Sequence, residues 1–151
     1  MIAFPDTSFL CALYVRQDNS PVAAAHFQSM PEVLHLSGLS LYEFRQSVRF
    51  QVWLNTQNPN KGYPEPIAQG ALAKLEANMA AGALVVVTVD WPDVYRLAET
   101  ISARHTIAGG HRSFDVLHVA TALHLGAREF LTFDSNQRKL AVAEKLKVKP
   151  S

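Results

Sequence analysis

Residues Ser113 to Asn136, reading SFDVLHVATALHLGAREFLTFDSN, constrain the fold of this chain most. Small and apolar residues run from Asp115 to Gly126 at helical spacing, and the glycine is a stop signal. A short apolar strand then spans Phe130 to Phe133 and ends on Asp134. A helix that packs antiparallel to the strand it feeds begins near the sheet edge where that strand ends. Asp115, in the first turn of the helix, and Asp134, at the end of the strand, therefore fall on one rim.

The rest of the chain repeats this alternation. Ile2 to Phe4 forms a short strand closed by Pro5 and Asp6, and a helix starts at Thr7 or Ser8. Ser20-Pro21 opens a second helix that ends near Met30, because proline suits the first helical position. Val33 to Ser37 is a second strand. Ser40-Leu41-Tyr42-Glu43 opens a long helix whose Leu41, Phe44, Val48 and Val52 recur every three or four residues, with Arg45 and Arg49 off that stripe. Asn55 to Pro66 is rich in Asn, Pro and Gly and reads as a loop. A helix marked by Ala68, Leu72, Leu75 and Met79 ends at Gly82. Leu84 to Val89 has the continuous apolar, β-branched character of a strand buried on both faces. Asp90 caps a helix that breaks at Gly109-Gly110. Gln137 to Leu146 is the last helix, and Val148 marks a short final strand. Strands alternating with helices predict one α/β domain over residues 1–151, with a mostly parallel sheet. Such sheets bind ligands beyond the carboxyl ends of their strands, where strand order reverses.

Composition narrows the function classes. The 151 residues carry a formal charge of +1, so no overall basic field advertises nucleic acid, and such a partner needs a local patch or a metal. The single cysteine, Cys11, cannot form an intramolecular disulfide and reads as a core thiol. The N-terminus lacks the features of a signal peptide, and no apolar run approaches the roughly 20 residues of a membrane span. A cytoplasmic protein is expected.

Of the 13 acidic residues, four fall at one end of the predicted sheet. Asp6 follows the first strand, Glu43 starts the helix after the second, and Asp115 and Asp134 flank the helix-strand unit. Each has a structural role available: a turn at Asp6, a capping box with Ser40 at Glu43, the helix dipole at Asp115 and a cap at Asp134. Asp90 has the same placement and reads as a plain cap. Together they are costly. Two carboxylates about 4 Å apart repel by roughly 4 kcal/mol at an effective dielectric near 20. A hard divalent cation offsets that repulsion, and oxygen ligands from separate loops suit Mg²⁺. His118, one turn beyond Asp115, reads as a helix histidine rather than a ligand.

The blocks MIAFPDTSFL, LSLYEFRQSVR and RSFDVLHVATALHLGAREFLTFDSNQRKLA resemble those of PIN-domain nucleases, most of all the VapC toxins of bacterial toxin–antitoxin pairs. The resemblance spans nearly the whole chain and implies a PIN-like three-layer α/β/α fold around a mostly parallel, twisted sheet of four to five strands. It implies a metal-dependent ribonuclease in which Asp6, Glu43, Asp115 and Asp134 are catalytic. Asp6, Asp115 and Asp134 would hold one or two Mg²⁺ (or Mn²⁺) ions, and Ser8, Thr132 and Asn136 would support them. Cleavage would leave a 5′-phosphate and a 3′-hydroxyl. The resemblance also implies a cognate antitoxin and a homodimer. Arg45, Arg49, Arg112, Arg138 and Lys139 flank the acids in sequence and are candidate grips for RNA phosphates.

Two other functions fit parts of the pattern. A haloacid-dehalogenase-like phosphohydrolase also places Asp after its first strand, but it needs a second Asp where Ser8 stands. A PIN-like module could bind RNA or protein without cutting, although all four acids are intact.

Overall fold

The computed structural model describes residues 2–151. The strands are β1 (Ala3–Pro5), β2 (Leu34–Leu36), β3 (Leu84–Val86), β4 (Glu129–Leu131) and β5 (Lys147–Lys149). The helices are α1 (Thr7–Tyr14), α2 (Ser20–Ser29), α3 (Gly38–Gln57), α4 (Glu65–Ala80), α5 (Trp91–Gly109), α6 (Ser113–His124) and α7 (Ser135–Ala143). All strand pairings are parallel, in the order β3-β2-β1-β4-β5. β1 is thus central, with β2 and β3 on one side and β4 and β5 on the other. The strand order reverses at β1, so the carboxyl end of β1 lies at the switch point where such sheets bind ligands.

Alternation along each strand divides the core into two layers. Ala3, Leu36 and Leu131 face a cluster with Phe9, Leu10, Phe44 and Leu75 from α1, α3 and α4. Phe4 and Phe130 face the opposite cluster, with Val94, Ile101, Val119 and Leu140 from α5, α6 and α7. The rings of Phe4 and Phe130 stack across the strand pair, 6.2 Å between centroids. The result is the three-layer α/β/α arrangement, with five strands. Among the described residues no helix is long and apolar enough to cross a membrane.

Four expectations are corrected. The capping box at Ser40 and Glu43 does not form. Ser37 is the cap of α3, accepting the Ser40 amide at 3.0 Å, so the helix starts earlier and Glu43 lies in its second turn with its carboxylate released from capping. β3 covers only the first half of the Leu84–Val89 run and is an edge strand, with Val85 and Val86 about two-fifths exposed. The continuous apolar run was therefore no sign of burial on both faces. The loop shrinks to residues 58–64 because α3 continues through Gln57 and α4 begins at Glu65. Asn55 pins its far end by donating to the Lys61 carbonyl at 2.9 Å. Finally, α7 starts at Ser135, earlier than Gln137, and is capped by Asp134.

Two substitutions on α3 test this packing. Phe44 is fully buried, so Phe44→Ala should destabilise the chain by about 3–5 kcal/mol. Phe50 is 47% exposed beside Trp53, and Phe50→Ala should stay within about 0.5 kcal/mol of wild type. Urea unfolding of both measures the contrast, and equal losses would contradict the assignment of the inner face.

Candidate active site

The site grows from the ends of β1 and β4. Backbone pairing carries past β1, since the Asp6 amide donates to the Leu131 carbonyl at 2.9 Å. Asp6 then caps α1, its Oδ1 accepting the Phe9 amide at 3.0 Å. Two hydroxyls close on the same carboxylate: Ser8 Oγ donates to Oδ1 at 2.7 Å, and Thr132 Oγ1 donates to Oδ2 at 2.5 Å. Each hydroxyl also accepts a backbone amide from beyond β4. Phe133 N donates to Ser8 Oγ at 2.9 Å, and Asp134 N donates to Thr132 Oγ1 at 3.0 Å. The knot ties the loops after two adjacent strands together. It leaves Oδ2 one lone-pair site beyond its single partner.

Asp134 caps α7, its Oδ1 accepting the Gln137 amide at 2.7 Å. Gln137 is itself buried, and its Nε2 donates to the Asp115 carbonyl at 3.0 Å. That bond fastens the first turn of α6 to the first turn of α7 and brings the two aspartates to one rim. The Asp115 carboxylate has only a loose partner, Arg112 Nε at 3.7 Å, on a side chain that is 86% exposed. Such an exposed contact contributes little.

Glu43 reaches the site from α3 and bonds to His118 of α6. A carboxylate only accepts, so His118 Nε2 carries the proton in this pair. His118 is 1% exposed and packs against Phe4, with 6.4 Å between ring centroids. It positions Glu43, a role that sequence reasoning missed. Its place one turn after Asp115, on the same helix face, was the available signal. Gln137 was missed likewise, three residues after Asp134 in the position a cap amide occupies.

The electrostatics separate the acids. Burial pushes the Asp6 carboxyl up to about 6, against the opposing hydrogen bonds from Thr132, Ser8 and the Phe9 amide. Burial also raises Asp115; Arg112 and His118 oppose it, while Asp134 and Glu43 push it further up. Burial acts in the same sense on Glu43, but the bond and charge of His118 outweigh it and hold this carboxyl below its usual range. Asp115 thus lies within electrostatic reach of two other acids. No three His, Cys, Asp or Glu side chains among the described residues stand close enough to chelate an ion as they are placed. The donor chemistry nevertheless fits a hard cation: the carboxylates are oxygen donors, and two are raised by burial that nearby cations do not offset.

The candidate cations divide. Arg112 lies beside Asp115, and Arg49 and Lys139 are exposed. Arg45 is paired with Glu76 of α4, and Arg138 donates to the Pro150 carbonyl at 2.7 Å, so both have structural partners. Asn136 is half-buried at the start of α7, in the wall of a groove shared with Arg104 and Lys139.

The pH dependence of stability follows from Asp6. Its folded value, about 6, lies above the ordinary 3.8, so the folded chain binds this proton more tightly than the unfolded chain. The stability linked to it is complete below about pH 4, fades as pH rises through about 6, and is absent above. The loss amounts to about 3 kcal/mol. Urea unfolding of wild type and Asp6→Asn in chelator should show the variant gaining on wild type between pH 4 and pH 7; a pH-independent difference would refute this.

The description "PIN domain" fits residues 3–143. No curated protein matches the sequence significantly. Three solved structures share the fold. Mycobacterium tuberculosis VapC20, described as a Sarcin-Ricin loop cleaving toxin, is 22% identical with a TM-score of 0.64, covering 98% of this chain and 99% of its own. FitAcB from Neisseria gonorrhoeae is 18% identical with a TM-score of 0.64, covering 99% and 97%. VapBC-1 from nontypeable Haemophilus influenzae is 13% identical with a TM-score of 0.65, covering 99% and 97%. With a family match across nearly its full length and a five-stranded parallel sheet between two helical layers, the chain belongs to the PIN domain family.

Proposed function

We propose that this chain is a divalent-metal-dependent endoribonuclease that hydrolyses RNA phosphodiester bonds, and that it acts as the toxin of a toxin–antitoxin pair. The observation that carries the reading is the Asp115 carboxyl, half-buried and pushed up further by Asp134 and Glu43 from two other elements. The repulsion among these acids opposes folding, and a bound dication would offset it. The toxin role is supported by the likeness to VapC20, described as a Sarcin-Ricin loop cleaving toxin. A protein antitoxin, a homodimer and a cytoplasmic location belong to the same proposal.

Asp6, Asp115 and Asp134 would hold Mg²⁺ or Mn²⁺. When bound, the ion supplies positive charge to the phosphodiester oxygens and acidity to a water. The protein supplies placement and proton acceptance. Ser8 and Thr132 hold Asp6 in one orientation, so that carboxylate needs little reorganisation. Glu43, kept ionised by His118, is positioned to accept a proton from attacking water. Arg112, free to move at the rim, can meet the phosphate as it enters.

Three measurements test the proposal. Purified chain should cleave single-stranded or total RNA with Mg²⁺ or Mn²⁺ and stop in chelator, leaving 5′-phosphates whose positions sequencing reads. Asp6→Asn should abolish this cleavage, and activity that survives the substitution would sink the enzyme reading. His118→Gln should lower activity about 10–100-fold, since it loosens a group that orients Glu43. In thermal melts, Asp115→Asn without metal should be at least as stable as wild type, yet lose the stabilisation that Mg²⁺ confers. An equal Mg²⁺ response in both proteins would contradict the assignment of Asp115 as a ligand.

A further inference from the structure

A cavity of about 340 Å³ lies between α5 and α6, within the size range of small-ligand sites. Its walls include Tyr95, Glu99, Thr106, His111, Ser113 and Leu117. Two of the polar atoms there, Thr106 Oγ1 and His111 Nδ1, are buried without a hydrogen-bond partner. Buried polar atoms are nearly always partnered, so two orphans on lining side chains leave hydrogen-bonding capacity unused next to the cavity, within reach of a guest once either side chain rotates. Tyr95 is 58% exposed and adds an aromatic face, and Leu117 adds an apolar one. Ser113 opens the helix that carries Asp115 two residues on, so the cavity and that acid share the first turn of α6 on different faces of it.

We propose that this cleft is a nucleobase pocket that reads one unpaired base of the RNA next to the cut. The proposal rests on the ribonuclease reading and gives it a source of sequence preference. An unstacked base offers a flat face to aromatic and apolar walls, and its edge offers donors and acceptors to polar ones. The Glu99 carboxylate only accepts hydrogen bonds, whereas the Thr106 hydroxyl donates and accepts. Bases with an exocyclic amino group therefore suit the pocket better than uracil, whose single ring donor lies between two carbonyl oxygens.

His111 divides this cleft from a second groove of about 400 Å³ between α5 and α7, where Lys139 is an exposed cation and Arg104 is paired with Glu144 at 2.9 Å. A strand crossing His111 can place its base on one side and its phosphates on the other. The ring sits where it does because residue 109 is glycine: a Cβ on Gly109 would come within 2.4 Å of His111 Nε2. Gly109→Ala must therefore shift the ring while every polar group is retained.

The test is fluorescence anisotropy of the full chain, in chelator, with labelled single-stranded oligoadenylate, oligocytidylate and oligouridylate. Wild type should bind oligouridylate at least about fivefold more weakly than the other two. Glu99→Gln, on an exposed side chain, should bring the three affinities to within about twofold, as should Thr106→Val and Gly109→Ala. Equal binding of the three oligomers by wild type, or an unchanged ratio in Glu99→Gln, would overturn the pocket. Asp6→Asn, outside the cleft, should keep the wild-type ratio while losing cleavage. Cleavage that survives it would overturn the nuclease reading alone, and a ratio that collapses in it would overturn the pocket.

Discussion

The carboxylate of Asp6 is buried at the point where strand order reverses, and the rest of the site is arranged around keeping it there. Taking an acid out of water raises the cost of its charge, and hydrogen bonds to the charged form reduce that cost. The chain provides three donors, from the Phe9 amide and the Ser8 and Thr132 hydroxyls. These donors come from both sides of the switch point. The same bonds that satisfy Asp6 therefore lock the loop after β4 to the first turn of α1, and place Asp134 beside them.

The other acids show how the surroundings assign different tasks to one chemical group. Glu43 has a buried imidazole as a dedicated partner and is held ionised. Asp115 has an exposed arginine as a loose partner; Arg112 and His118 lower its carboxyl, but burial, reinforced by two other carboxylates, prevails. An acid already matched by a fixed hydrogen-bond donor has little to gain from a metal. An acid left uncompensated gains a great deal. In the proposed function this difference is the reason to give ion binding to Asp6 and Asp115 and proton transfer to Glu43.

Much of the fold was legible in local pattern. Strand-helix alternation, Pro21, Gly126 and the cap at Asp90 all act within a few residues of themselves, and the structure has these elements where the pattern places them. The pattern failed where two local solutions competed or where a neighbour decided. Ser37 and Ser40 could each cap α3, and only the emergence of the chain from β2 selects the earlier one. Leu84 to Val89 is apolar throughout, yet nothing pairs beyond β3, and that edge position exposes Val85 and Val86. The groups that tune the site, His118 and Gln137, look like ordinary helical residues until the helices they face are in place.

The sequence by itself determined the class of fold and the end of the sheet on which Asp6, Asp115 and Asp134 fall. These follow from periodicity and from parallel strands, whose carboxyl ends must share one edge. Tertiary structure alone decided which acid gains a dedicated hydrogen-bond partner and which does not. Hydrogen bonds and burial depend on distances of a few ångströms between segments more than a hundred residues apart, as between Asp6 and Thr132. No local pattern encodes such distances.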